Sequence, residues 1–304
     1  MGEPNPTTAS AASEERNANA GDHRAGFWSS LRATAGLVFP LGEAGRGAGV
    51  AGACRTHWIV PMGLVVGIGY ACLYRGAWRF FGEVQGIRLM PAVAVWLLDV
   101  GLCGSVLLVG SARVADQIFG GRSRRPGGEP TVEGRLGLVG MASFVVLCVL
   151  KLMLWISIPE GVSTWPGIWG SGLNFAYPHA FYRPLLLAPI WGRWGLVLAA
   201  GLGRPSAEAD AVIRGLTSRQ SPYGVLIWFV PVAALTAVYC GYSGRWAYGC
   251  VIALGVMGAT YLFGVAVARR LGGQTRETIL AAGLVAEMSY LVLYMGFSVR
   301  IYSG

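Results

Sequence analysis

The sequence predicts an all-α, polytopic membrane bundle with about seven transmembrane helices, and three observations carry that prediction. First, 54% of the 304 residues are hydrophobic and only 13% are charged, with a mean hydropathy of +0.53; a soluble domain of this length needs far more charge on its surface. Second, apolar runs near the roughly 20 residues required to cross a hydrocarbon core of about 30 Å recur along the chain. They fall near 58–74, 89–110, 136–158, 181–202, 223–241, 247–267 and 278–297. Third, arginines concentrate in alternate loops, as expected of a chain that threads a membrane repeatedly.

Taken in order, residues 1–25 are polar, small and poor in apolar types, so a disordered tail is expected there, ahead of an integral membrane domain over 26–304. The tail lacks the charged start, apolar middle and cleavage site of a signal peptide. From Phe27 to Phe39 the run FWSSLRATAGLVF is amphipathic and too short to span, which suits an interfacial helix. The spans that follow carry closely spaced small residues, such as Gly63, Gly67 and Gly69, and Gly249, Gly255 and Gly258. These predict tight helix packing.

Orientation follows from the arginines. Arg122, Arg124 and Arg125 follow the second span, Arg204, Arg214 and Arg219 the fourth, and Arg269, Arg270 and Arg276 the sixth. With the basic amino-terminal segment, they place that face in the cytoplasm. Arg75, Arg79 and Arg88 disagree, falling on the expected outer side after the first span, whose placement is the least fixed by charge.

The formal charge of +9 is almost wholly arginine, Lys151 being the only lysine. Because these arginines punctuate apolar helices rather than paving a soluble surface, nucleic-acid binding is not expected; they read as topology determinants and phosphate ligands. The six cysteines stand singly, without a CxxC pair, so neither a disulfide framework nor a structural zinc is expected. Asp116, Glu129, Glu133, Glu208, Asp210 and Glu277 all land on the cytoplasmic face beside most of the arginines. That arrangement is read either as a solvated surface or as a divalent-cation and phosphate site. Asp99, in VWLLDVG, is expected to be buried and hydrogen-bonded to a neighbouring helix. Glu287, inside the last span, is expected to be a structural acceptor, and His179 with its neighbouring tryptophans an interfacial belt.

Four stretches in order resemble the adenosylcobinamide-GDP ribazoletransferase (cobalamin synthase) family. ADQIFGG is similar to the end of that family's acidic element, with Asp116 at its last Asp, and GRLGLVG to the following loop, with Glu133 at an Asp position. LLLAPIWGRWGLVLAAGLGRP (Leu185–Pro205) and FGVAVARRLGGQTRETILAAGLVAEM (Phe263–Met288) are similar to two further family segments. FWSSLRATAGLVFP and HWIVPMGLVVGIGYA echo its opening. The pattern departs at Leu107, where the family has His, and at Val109 and Arg113, where it has Asp. Its TGD triplet is Thr275-Arg276-Glu277, and Leu284 replaces the first of two glutamates while Glu287 matches the second.

The resemblance implies an inner-membrane, Mg²⁺-dependent transferase, its site facing the cytoplasm, that joins adenosylcobinamide-GDP to alpha-ribazole or its 5'-phosphate and releases GMP. It implies Asp116, Glu133 and Glu277 as metal ligands, Glu277 and Asp116 as the catalytic carboxylates, and Arg193 and Arg135 as phosphate ligands. Other cobalamin-assembly enzymes are implied partners beside the lipid bilayer. Against these stand plainer readings: Arg113 pairing with Asp116 one helical turn away, and Arg193 snorkelling to headgroups. A non-catalytic relative of the family that binds a corrinoid or a partner protein is the alternative function. A small-solute transporter ranks below both, because no internal repeat or pair of broken helices is evident.

Overall fold

The computed structural model describes residues 56–81, 89–101, 105–120, 136–158, 182–207, 209, 211–240 and 246–302. The tail 1–25, the run Phe27–Phe39, Arg88, Arg122, Arg124, Arg125, Glu129, Glu133, Arg135, His179, Glu208 and Asp210 lie outside them. The described residues form nine α-helices and no strand: α1 (Ile59–Phe81), α2 (Leu89–Asp99), α3 (Ser105–Phe119), α4 (Leu138–Ile156), α5 (Tyr182–Gly201), α6 (Ala211–Arg219), α7 (Pro222–Cys240), α8 (Trp246–Leu271) and α9 (Arg276–Tyr302). Six of them, α1, α4, α5, α7, α8 and α9, are long and apolar enough to cross a membrane.

The stretch expected to span at 89–110 is divided instead. α2 stops at Asp99, a π-type turn occupies 100–101, and α3 starts at Ser105. Both pieces pack along α4, Asp99 against Lys151 and Asp116 against Gly137. They therefore follow one another down a single crossing. Hydropathy cannot register such a break, since LMPAVAVWLLDVGLCGSVLLVG is apolar on both sides of it.

The helix α5 is the axle of the bundle. Of its most apolar stretch 89% is buried, against 61% for α9 and 22–39% for the other spanning helices, and α1, α7, α8 and α9 all pack on it. Small residues permit this closeness. A Cβ on Gly63 or Gly67 of α1 would stand 2.7 Å from the Pro189 carbonyl or 2.6 Å from that of Leu186. On Gly195 a Cβ would meet Ala286 of α9 at 2.7 Å. Without a hydrophobic drive between helices in lipid, such backbone proximity is the main source of association. Gly249 has the same role against Ala237, whereas Gly69 and Gly258 face open space and so do not serve the packing expected of them.

The turn from α8 to α9 is fixed by its own chemistry. Gly272 takes a left-handed φ of 72°, and the Gly273 amide donates to the Ala268 carbonyl at 2.9 Å, closing α8 in a Schellman-type cap. Thr275 and Thr278 then exchange side-chain and amide hydrogen bonds at 2.8 and 3.3 Å, a reciprocal cap that starts α9. The connection leaving α5 pairs with this turn through Pro205 and Gln274. The carboxyl ends of α3, α5 and α8 and the amino ends of α4 and α9 thus gather at one end of the bundle.

Candidate active site

At that end, the last turn of α3 carries Asp116 to the start of α4. Gly137, which precedes α4 in extended backbone, has no side-chain cap of its own. Asp116 supplies it from across the bundle: the Gly137 amide donates to Oδ2 at 3.0 Å and the Gly140 amide to Oδ1 at 3.3 Å. The unpaired amides and the positive end of the helix dipole favour a carboxylate there. Any side chain on Gly137 would collide with it, and one on Gly140 would crowd the Asp116 Cβ at 3.2 Å, which gives these two glycines a physical reason.

Glu277 sits in the first turn of α9. Its Oε1 is 3.5 Å from Nη1 of Arg113, with the side chains 24% and 41% exposed respectively. Arg113 thus reaches across to α9, where an intrahelical pair with Asp116 was the plainer expectation. Two arginines, Arg113 and Arg276, and two carboxylates from α3 and α9 share this end. Glu133 and Arg135 fall between α3 and α4 in the sequence, outside the described residues, and among the described residues no three acidic, His or Cys side chains converge as a metal group.

The structure does not bring Arg193 to this end. It lies on the axle helix at 1% exposure, within electrostatic reach of Glu287. Glu287 lies ten residues beyond Glu277 on α9, about 15 Å along the helix. Here a second polar group is assembled. Lys151 of α4, fully buried, is 2.5 Å from Oδ2 of Asp99 and 3.0 Å from Oε1 of Glu287. The Tyr70 hydroxyl of α1 donates to Asp99 Oδ1 at 2.5 Å, with the Trp155 ring edge-on against Tyr70. The expectation that Asp99 bonds a neighbouring helix describes what is seen, while Glu287 is held by the ion pair with Lys151 rather than as a hydrogen-bond acceptor.

This cluster joins α1, α2, α4, α5 and α9, and its four charges sum to zero. Ions inside a bundle persist only when paired in this way. Sequence reasoning missed Lys151 and Tyr70. The signal available was arithmetic: two basic and two acidic residues, each isolated in an apolar run.

No solved structure matches the chain. The family described as cobalamin-5-phosphate synthase matches residues 38–297, a stretch that contains every residue of both polar groups. Because that match covers most of the chain, the chain belongs to the cobalamin-5-phosphate synthase family.

Proposed function

We propose that the chain is the adenosylcobinamide-GDP ribazoletransferase of cobalamin biosynthesis, acting from the cytoplasmic face of the inner membrane. The observation that carries this reading is the family match over residues 38–297, from ahead of α1 into α9. A ribose hydroxyl of alpha-ribazole, or of its 5'-phosphate, attacks the phosphorus attached to cobinamide. The new P–O bond forms as the bond to GMP breaks, and the hydroxyl proton passes to a carboxylate. Glu277 is the residue proposed for that step, being partly exposed and held in place by Arg113.

Mg²⁺ fits the donor set. Its donors are carboxylate oxygens, the hard ligands that this cation takes, and Asp116 and Glu277 stand at helix ends that meet on one face. Asp116, Glu277 and Glu133 are the proposed ligands, since Mg²⁺ takes a few carboxylates and leaves its other positions to phosphate and water. Bound there, it would neutralise charge developing on the phosphoryl oxygens. Arg135 is proposed as a phosphate ligand at this end. Arg193 is assigned instead to holding Glu287, about 15 Å deeper by helix rise.

A second reading, a non-catalytic relative, is favoured by one observation: both oxygens of Asp116 already cap α4. Expression in a bacterium lacking its own cobalamin synthase separates the two. Cobalamin-dependent growth that disappears with Asp116→Ala supports the transferase. Full membrane expression without growth supports the relative, together with any partnership with other cobalamin-assembly enzymes.

A further inference from the structure

We propose that Lys151 is a positioning residue: its ammonium sets the broken α2–α3 crossing against α9, and through them the carboxylate end of the bundle. The link to catalysis rests on the transferase reading above, while the positioning itself does not.

The argument begins with residue choice. The chain uses arginine at every other basic position and its single lysine at a site with no exposure. An ammonium is a compact point charge with three donors on a flexible stem, whereas a guanidinium is a wide planar fork. Two carboxylates from different helices, 2.5 and 3.0 Å from one nitrogen, leave room for the former.

Connectivity supplies the second step. α2 packs on α1 and α4, and Asp99, its last residue, stands immediately before the break. Its described link to α9 therefore runs through Lys151. α3 resumes after the break and carries Arg113 and Asp116; α9 carries Glu277 and, further along, Glu287. One nitrogen thus ties the end of α2 to α9 at mid-height, and α3, the next helix after α2, and α9 carry ends that form the candidate site. At that end the fit between the two is close, since a Cβ on Gly110 of α3 would stand 2.6 Å from Cβ of Leu280. A small shift at mid-height cannot be absorbed there and is passed on to Arg113 and Glu277.

Charge balance must be separated from positioning, because Lys151→Met alone would leave an unpaired buried charge. The double variant Lys151→Met/Asp99→Asn restores neutrality while removing the tie and leaves Glu287 facing Arg193, and Lys151→Arg keeps the charge but changes its shape. All are made in the full chain and reconstituted in lipid nanodiscs. Spin labels on genetically encoded keto residues at Leu97 and Val292, both exposed on the outside of the bundle, report the distance between α2 and α9.

For the double variant, the expected result is a melting temperature near that of the parent. The α2–α9 distance distribution should be shifted or broadened, and kcat should fall at least tenfold with KM within about twofold. Lys151→Arg should show the same split if the double variant does not assemble. Either an unchanged distance or an unchanged kcat overturns the proposal, leaving Lys151 as charge compensation only. If the parent chain shows no transfer at all, the functional reading falls, and the distance measurement alone still decides whether Lys151 sets α2 against α9.

Discussion

At the residue scale, Asp116 holds two roles that one substitution can separate. As a cap it accepts from two amides of α4; as a ligand it would need its negative charge. Asp116→Asn keeps one acceptor oxygen and removes the charge, so we expect a stability loss of about 1 kcal/mol, read from thermal unfolding. Transfer should fall by about 100-fold or more if the carboxylate also serves the reaction. Gly137→Ala provides the complementary test, because its Cβ displaces the carboxylate without altering it. It should lower both quantities too. A stable, fully active Asp116→Asn protein would reduce Asp116 to a cap. The sequence exposed Asp116 through its motif but not its partners, which lie 21 and 24 residues away across a loop. Lys151 was hidden for a different reason: an isolated ion in an apolar run announces burial, while the identity of its partners depends on how five helices are arranged.

At the scale of elements, apolar runs located the six continuous spans well, because length and hydropathy are what a bilayer selects. They failed at α2 and α3, where the same composition serves a broken helix. Among the described residues, Asp99 and Gly101 mark the end of α2, and acidic residues and glycines also occur in unbroken spans. Glycine spacing was informative only in part, since it cannot say which face of a helix meets a neighbour. That distinction gives a prediction with its own control. Gly67→Leu forces a side chain into the backbone of α5 at Leu186, whereas Gly69→Leu meets nothing within 4 Å. Gly67→Leu should cost about 1–3 kcal/mol, the usual range for overpacking, and Gly69→Leu should leave the melting temperature in detergent unchanged. Equal effects would mean that α1 does not seat on α5 through this face.

For the whole molecule, the expectations from arginine placement and the helix arrangement meet in one topology. Counting α2 and α3 as a single crossing restores about seven passes, the number expected from the apolar runs. The ends that carry Asp116, Glu277, Arg269 and Arg270 then fall together on one side. We propose that this side is the cytoplasmic one, following the positive-inside rule, where nucleotide-bearing substrates would be met. Arg75 and Arg79, near the far end of α1, remain the exception, and two or three charges on one short connection do not outweigh the three basic loops opposite. Phe119 at the end of α3 and Phe80 near the end of α1 are both exposed, at 71% and 85%, and belong to opposite ends of the bundle. Replaced singly by Cys and treated with a membrane-impermeant maleimide, with the parent chain as background, Phe119→Cys should label only in inverted vesicles and Phe80→Cys only in right-side-out ones. Labelling of both from the same side would show that α2 and α3 do not complete a crossing. The carboxylate end would then need a different membrane address from the one its arginines imply.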